Sequence, residues 1–281
     1  MARGGRSRTS QAKTLMPTMP NAGIEAAYRK TLDVMITHMM EQARKDAIAQ
    51  YRGAQKGLAQ DEATRPYFEE FDEEAERIAA EFVGKANRHT RASLVNALKN
   101  AGYTPGDLRS LRRKPQDLDR IIQAIIEENA LLIRSIPVET TQKIEKLVNE
   151  SIQRNRDLGA LVSELEQTKE LRKLYEGLDD IDKLTKRRAR TIARDQNNKV
   201  TEMISMVRVQ SLGVTEGYWM HRGGGKVPRK SHRDKAASGG MNGARFKLSE
   251  GLYDPEVGRN IIPGELVNCH CTYRPILPDL E

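Results

Sequence analysis

The apolar residues of this chain change their spacing at Gly213, and that change limits what the chain can fold into. Before it, apolar side chains recur every three or four positions, the spacing of one face of a helix. After it the pattern shortens. Residues 215–221 are aromatic and β-prone, 223–243 are rich in glycine and basic residues, and 244–248 read as a short strand. Pro263 and Gly264 make a turn, and 266–277 alternate as a strand does. The expected fold class is mainly α: an extended multi-helix N-terminal region followed by a small α+β, loop-rich C-terminal module.

The helical part divides at its punctuation. Residues 1–20 hold few apolar groups among Gly, Ser, Pro and basic residues, and read as a flexible basic arm. A stripe of Ile24, Tyr28, Leu32, Met35, Ile36 and Met39 predicts a helix over 21–53. A connector over 53–65 follows, and Pro66 opens a second helix whose acids Glu69, Glu70, Asp72, Glu73 and Glu74 lie near its positive end. Asn100, Ala101 and Gly102 stop it. A short helix is expected from Thr104 to near Arg113, and another from Pro115, with Leu118, Ile121, Ile122, Ile125 and Ile126 on one face. Pro137 is expected to break that helix. Further stripes follow, and a long helix is expected from about Asp179 to Gly213, carrying the basic cluster Lys186, Arg187, Arg188, Arg190 and Arg194, read as a solvated face. The predicted organisation is thus an arm over 1–20, a helical region over 21–178 and a module over 179–281.

Composition excludes several classes. With hydrophobic residues at 38% and aromatics at 5%, the core cannot be generous. The most apolar stretch, 121–136, is interrupted by Gln123, Glu127, Glu128 and Arg134, so no membrane span is expected. Basic residues Arg3, Arg6, Arg8 and Lys13 precede Pro17 and Pro20 with no apolar run, unlike a secretory signal. Two cysteines exclude a disulfide framework, and the expectation is a soluble protein made in a reducing compartment.

Charge is concentrated. The formal net charge is +8, and from Trp219 to Lys247 eight basic residues face one acid, Asp234. Such a segment is expelled from a core and attracts polyanions, each phosphate contact releasing counterions. Arg222, Lys226, Arg229, Lys230 and Arg233 are the candidate nucleic-acid contacts. With few Asn or Gln beside them to read base edges, binding would be backbone-directed and salt-sensitive.

Both cysteines and three of five histidines, His221, His232 and His270, fall in the same terminal stretch. If 266–277 is extended, Cys269 and Cys271 project to one face and His270 to the other. A tetrahedral zinc site would then use Cys269, Cys271, His232 and His221, making zinc the one cofactor the residues point to. The C-x-C spacing is not that of common zinc ribbons, and two buried thiols with a hydrogen-bonded histidine is the plainer alternative. Enzyme motifs fail on inspection. Gly223, Gly224, Gly225 and Lys226 resemble a phosphate loop, but Met220 replaces its first glycine and Val227 its Ser/Thr. His232, Arg233 and Asp234 match three letters of a kinase catalytic loop, with Gly239 where asparagine is required. A nucleophilic Cys269 or Cys271 paired with His232 lacks a named orienting group.

The C-terminal stretch resembles the phage head morphogenesis proteins typified by the Mu F-like minor head proteins. The matching residues run in order: Arg190, Thr191, Ile192, Ala193, Arg194, Asp195 and Gln196; Gly217, Tyr218 and Trp219; Lys226, Pro228, Arg229 and His232; Asn242, Gly243 and Phe246; Pro263, Gly264 and Glu265; Asn268, Cys269, His270 and Cys271; then Pro275. His270 stands where family members commonly have Arg, and the linker from His232 to Asn242 is longer and richer in glycine. The resemblance implies a bacteriophage minor head protein acting in head morphogenesis, a capsid component retained in the virion. Its implied partners are the portal protein, the major capsid protein and packaged double-stranded DNA. It would reside in the host cytoplasm during assembly, then at the portal vertex or in the head interior. The rival expectation is a virion-delivered metal-dependent or Cys/His hydrolase or nuclease.

Overall fold

The computed structural model describes residues 13–55, 67–104, 117–157, 164–223 and 228–278. Long helices come first: α1 (Ala22–Gln55), α2 (Tyr67–Asn100), α3 (Leu118–Asp157) and α4 (Glu164–Gln210). The strand β1 (Glu216–Met220), the short helix α5 (Lys230–Ala237), a 3-10 turn (Gly240–Asn242), β2 (Arg245–Lys247), β3 (Leu252–Asp254), β4 (Arg259–Ile261) and β5 (Thr272–Ile276) follow. The fold is mainly α with a small α+β C-terminal region. The short helix expected up to Arg113 falls on residues outside those described.

Two expected helix breaks are absent. Pro137 lies inside α3. It cannot donate the bond that would reach Ile133, yet Ile133 and Ile136 are fully buried and Thr140 is 3% exposed, so burial holds the helix through the proline. The start expected at Asp179 is also absent, because α4 runs unbroken from Glu164. Gly177 stays helical there and admits a close approach to α3: a Cβ at this position would lie 2.7 Å from Leu147 Cδ2.

The chain forms two compact units, and neither is a single stretch of sequence. One combines Ala22–Lys85 with Ile122–Gln196, and the other combines Met1–Asn21, Ala86–Ile121 and Asn197–Glu281. A division falls after Asn21, beside the expected end of the arm, whereas none falls near the expected boundary at 178, which lies inside the first unit. Helices α2, α3 and α4 are long enough that each contributes residues to both units. In the first unit, Leu32, Met35, Ile36 and Met39 of α1 are buried, as are Ile78 and Phe82 of α2, so the methionines of α1 are core. Tyr28 stacks on Phe82 with ring centroids 4.1 Å apart. Arg134 bridges Asp72 and Glu76 at 3.0 and 2.7 Å.

The second unit carries the sheet. Its order is β2-β1-β5, antiparallel throughout, with Gly217 opposite Phe246 and Trp219 opposite Tyr273. β3 and β4 form a separate hairpin. Trp219, Phe246 and Tyr273 cluster with Met206 and Val209 of α4, Leu98 of α2, and Leu15. Leu15 corrects the expectation of a flexible arm over residues 1–20, at least from Lys13 onward. Thr14 bridges Ile276, Leu15 N–H donates to Pro275 O at 3.0 Å, and Leu277 N–H donates to Lys13 O at 2.8 Å. One fully buried leucine and these bonds offset the entropy of ordering so short a segment.

Candidate functional site

β1 ends at Met220, which delivers His221 to one end of the sheet. His232 is the third residue of α5, and Cys269 and Cys271 lie in the run that enters β5. That run turns at Asn268, whose φ of 59° is left-handed, and Cys269 N–H donates to Leu266 O at 2.9 Å. The turn brings both sulfurs to His232: Nδ1 lies 3.4 Å from Cys269 Sγ and 3.5 Å from Cys271 Sγ. His221 Nδ1 approaches Cys271 Sγ at 3.6 Å. Three of the four residues singled out from the sequence as metal ligands, His232, Cys269 and Cys271, therefore meet, and His221 reaches this group through Cys271 alone. His270 points elsewhere, its Nδ1 lying 3.2 Å from Asn198 Nδ2. The expected alternation of the two cysteines with His270 holds, although regular pairing begins only at Thr272.

Behind His232 stands a carboxylate that the sequence did not announce. Asp254 of β3 is fully buried, with Oδ2 3.4 Å from His232 Nε2. Lys235 Nζ donates to the same oxygen at 2.9 Å, and Glu256 N–H donates to Oδ1 at 2.9 Å. Burial alone would raise the Asp254 pKa, but donation from Lys235, Ser231 and the Glu256 N–H outweighs it and holds the carboxylate below its ordinary range. The Trp219 ring meets His232 edge-on at 5.6 Å and faces Lys235 Nζ at 5.7 Å. Lys235 is thus a buried partner of Asp254 and leaves the tally of surface cations.

The two thiols push each other's pKa in opposite directions. A hydrogen bond from Cys271, and a second from His232, hold Cys269 far below the usual thiol range against the opposing effect of burial. Cys271 is pushed up by the same bond and by burial. Burial also lowers His221. On α4, Glu202 is 1% exposed, and burial raises its carboxyl well above the ordinary value, against the pull of Thr272 and Arg222. Glu202 belongs to a buried polar stripe with Asn197, Asn198, Thr201 and Ser205. The spacing i, i+1, i+4, i+5, i+8 was visible in the sequence but is that of any solvated helix face.

A cleft opens on the cluster, lined by His221, Gly223, Pro228, Arg229, Asn268 and His270 together with His232 and the cysteines. Of the candidate nucleic-acid contacts, Arg222, Lys230 and Arg233 are exposed. Arg229 is half-buried and donates to Val267 O at 3.1 Å. Lys226 lies outside the described residues. Arg245 and Lys247, also in the basic run, pair with Glu216 and Glu250.

Two chemistries suit this set. Two thiols and two imidazoles can converge on a soft divalent cation. Alternatively, a Cys269 thiolate with His232 as base and Asp254 as orienting group has the connectivity of a nucleophilic triad. Access weighs against the second: Cys269 and Cys271 are 3% and 2% exposed, and His232 Nδ1 is shared between both sulfurs.

An uncharacterized protein of Haemophilus influenzae is 27% identical to this chain over 211 residues, which cover 74% of the chain and 40% of the relative. The chain therefore spans less than half the length of that relative. No family model and no solved structure matches.

Proposed function

We propose that the chain is a minor head protein of a tailed bacteriophage, associated with the portal vertex during head morphogenesis, whose C-terminal part binds rather than catalyses. One observation carries the reading. Residues that follow one another in the resemblance, Trp219, Phe246, Cys269 and Cys271, are spread along the sequence yet belong to one buried cluster. The resemblance thus follows a folded unit rather than scattered letters. The low exposure of both sulfurs supports a holding role, and the exposed cations Arg222, Lys230 and Arg233 suit contact with packaged DNA.

Co-expression with a portal protein tests the assembly role: the chain should co-purify with the portal ring, and a chain that elutes alone defeats the reading. The DNA contact has its own test. Neutralising Arg222, Lys226, Arg229, Lys230 and Arg233 together should weaken binding to duplex DNA of any sequence and flatten its salt dependence, by about 0.9 in log–log slope per lost phosphate contact. An unchanged slope removes this segment from the interface.

Asp254 behind His232 favours a second reading, a Cys/His hydrolase or nuclease. Incubating the full chain with duplex DNA and ester substrates decides it. Turnover abolished by His232→Ala supports the enzyme, and no turnover leaves the binding role.

A further inference from the structure

We infer that Cys269, Cys271, His232 and His221 hold one structural Zn²⁺ ion in a closed tetrahedral site, with Asp254 as the carboxylate that orients His232. Zinc bonds of about 2.3 Å to sulfur and about 2.0–2.1 Å to nitrogen at tetrahedral angles place neighbouring N and S ligands about 3.5 Å apart. The three N···S separations here are 3.4, 3.5 and 3.6 Å. Without an ion the same separations serve as hydrogen bonds, so the donors already stand at the spacing zinc requires.

The donor atoms of His232, Cys269 and Cys271 lie within 4.8 Å of one another and are buried, so they form the inner face of the site. His221 touches Cys271 but lies outside the compact group of the other three donors, so it would close in from the half-buried rim of the cleft to ligate. It completes four protein ligands, the number that distinguishes a structural zinc site from a catalytic one with a position kept for water.

The surroundings match a metal more closely than a thiol nucleophile. Zinc-bound histidines commonly present their far nitrogen to a carboxylate, which fixes the ring and strengthens the ligand. His232 presents Nδ1 to the sulfurs, while its buried Nε2 lies 3.4 Å from Asp254 Oδ2 without a formed hydrogen bond, a contact that a bound ion would draw into line; Asp254 is itself fixed by Lys235 and the Glu256 N–H. Two thiolates with two neutral imidazoles would neutralise the ion, while Lys235 balances Asp254. The ligands come from the end of β1, from α5 and from the entry to β5, and Asp254 adds β3. The ion would join four short elements of a module in which, among the described residues, no strand exceeds five residues. The inference stands apart from the phage reading, since it concerns how the module is held together whatever the module contacts.

The test uses the full chain purified without chelators. Elemental analysis should find one zinc per chain that survives desalting. Cobalt replacement should give intense visible bands of a tetrahedral ion and a sulfur-to-cobalt charge-transfer band. Zinc lost on desalting, or a weak octahedral cobalt spectrum, overturns the inference, and neither readout needs a variant. Variants then assign the ligands. Cys269→Ser should abolish stoichiometric zinc. His221→Ala, at the rim, should retain a folded chain with weakened zinc binding. Asp254→Asn should weaken zinc binding by about 10–100-fold in chelator competition. His270→Gln, whose ring faces Asn198, should bind zinc as the parent does. Equal zinc affinity in parent and His221→Ala would exclude His221 as the fourth ligand and with it the closed site.

Discussion

Glu170 on α4 shows what a single charge contributes in the helical unit. Its side chain is 8% exposed and accepts from Lys173 and Arg154. The Lys173 bond leads in holding its carboxyl below the ordinary 4.5, with burial opposing and Arg154 assisting. A carboxylate whose folded pKa is depressed stabilises the fold above its unfolded pKa and loses that contribution as pH falls towards the folded value. Glu170→Gln should therefore cost about 1 kcal/mol at neutral pH, and the difference should shrink as urea titrations are moved below pH 4.5. The same scale shows why the site was only partly legible. Cys269, Cys271, His232 and His221 could be grouped because they crowd one stretch and a period of two puts both sulfurs on one side. Asp254 could not, because nothing local links it to His232. Lys235 was counted with the surface cations because a one-dimensional charge run does not reveal which member faces inward.

At the scale of elements, helix and strand types were legible from periodicity, and so were the stop at Asn100 and the change near Gly213, whereas continuity through Pro137 and Gly177 and the strand pairings were not. Pro137 and Gly177 carry the local signals of interruption, yet both sit inside continuous helices, since burial around the one and close packing at the other outweigh propensity. The hairpin of β3 and β4 was too short to read. The bridge that Thr14 makes was invisible because its partner, Ile276, lies far along the sequence. Leu15→Ala should cost about 2–4 kcal/mol, read as a lower thermal midpoint with unchanged helix content. Gly243 has φ 81°, and a Cβ there would lie 1.9 Å from Trp219 O, whereas Gly258 has φ 73° with nothing within 4 Å. Gly258→Ala should cost about 1–2 kcal/mol from conformation alone. Gly243→Ala should cost more, because β1 must also move, and paired denaturation curves check the order.

For the molecule as a whole, the interleaving of the two units decides what can be cut away. A fragment of residues 179–281, which the sequence pattern alone would select, lacks Leu15, Ala97 and Leu98 from the cluster around Trp219. It should show no cooperative unfolding, and its Trp219 emission should sit at the wavelength of a hydrated indole. Full-length protein should show a buried indole, and because Trp219 is the sole tryptophan, its signal reports this unit alone. A fragment that unfolds cooperatively with a buried indole would show that the arm and α2 are dispensable.

The bridge between Thr14 and Ile276 also sets a timetable. On a ribosome adding roughly 5–20 residues per second, the segment around Leu15 emerges long before its partner at Ile276, so it waits some tens of seconds with an apolar side chain and bare backbone exposed. That interval is an opening for a chaperone, or for the strand of a neighbouring nascent chain, before the finished polypeptide can close on itself.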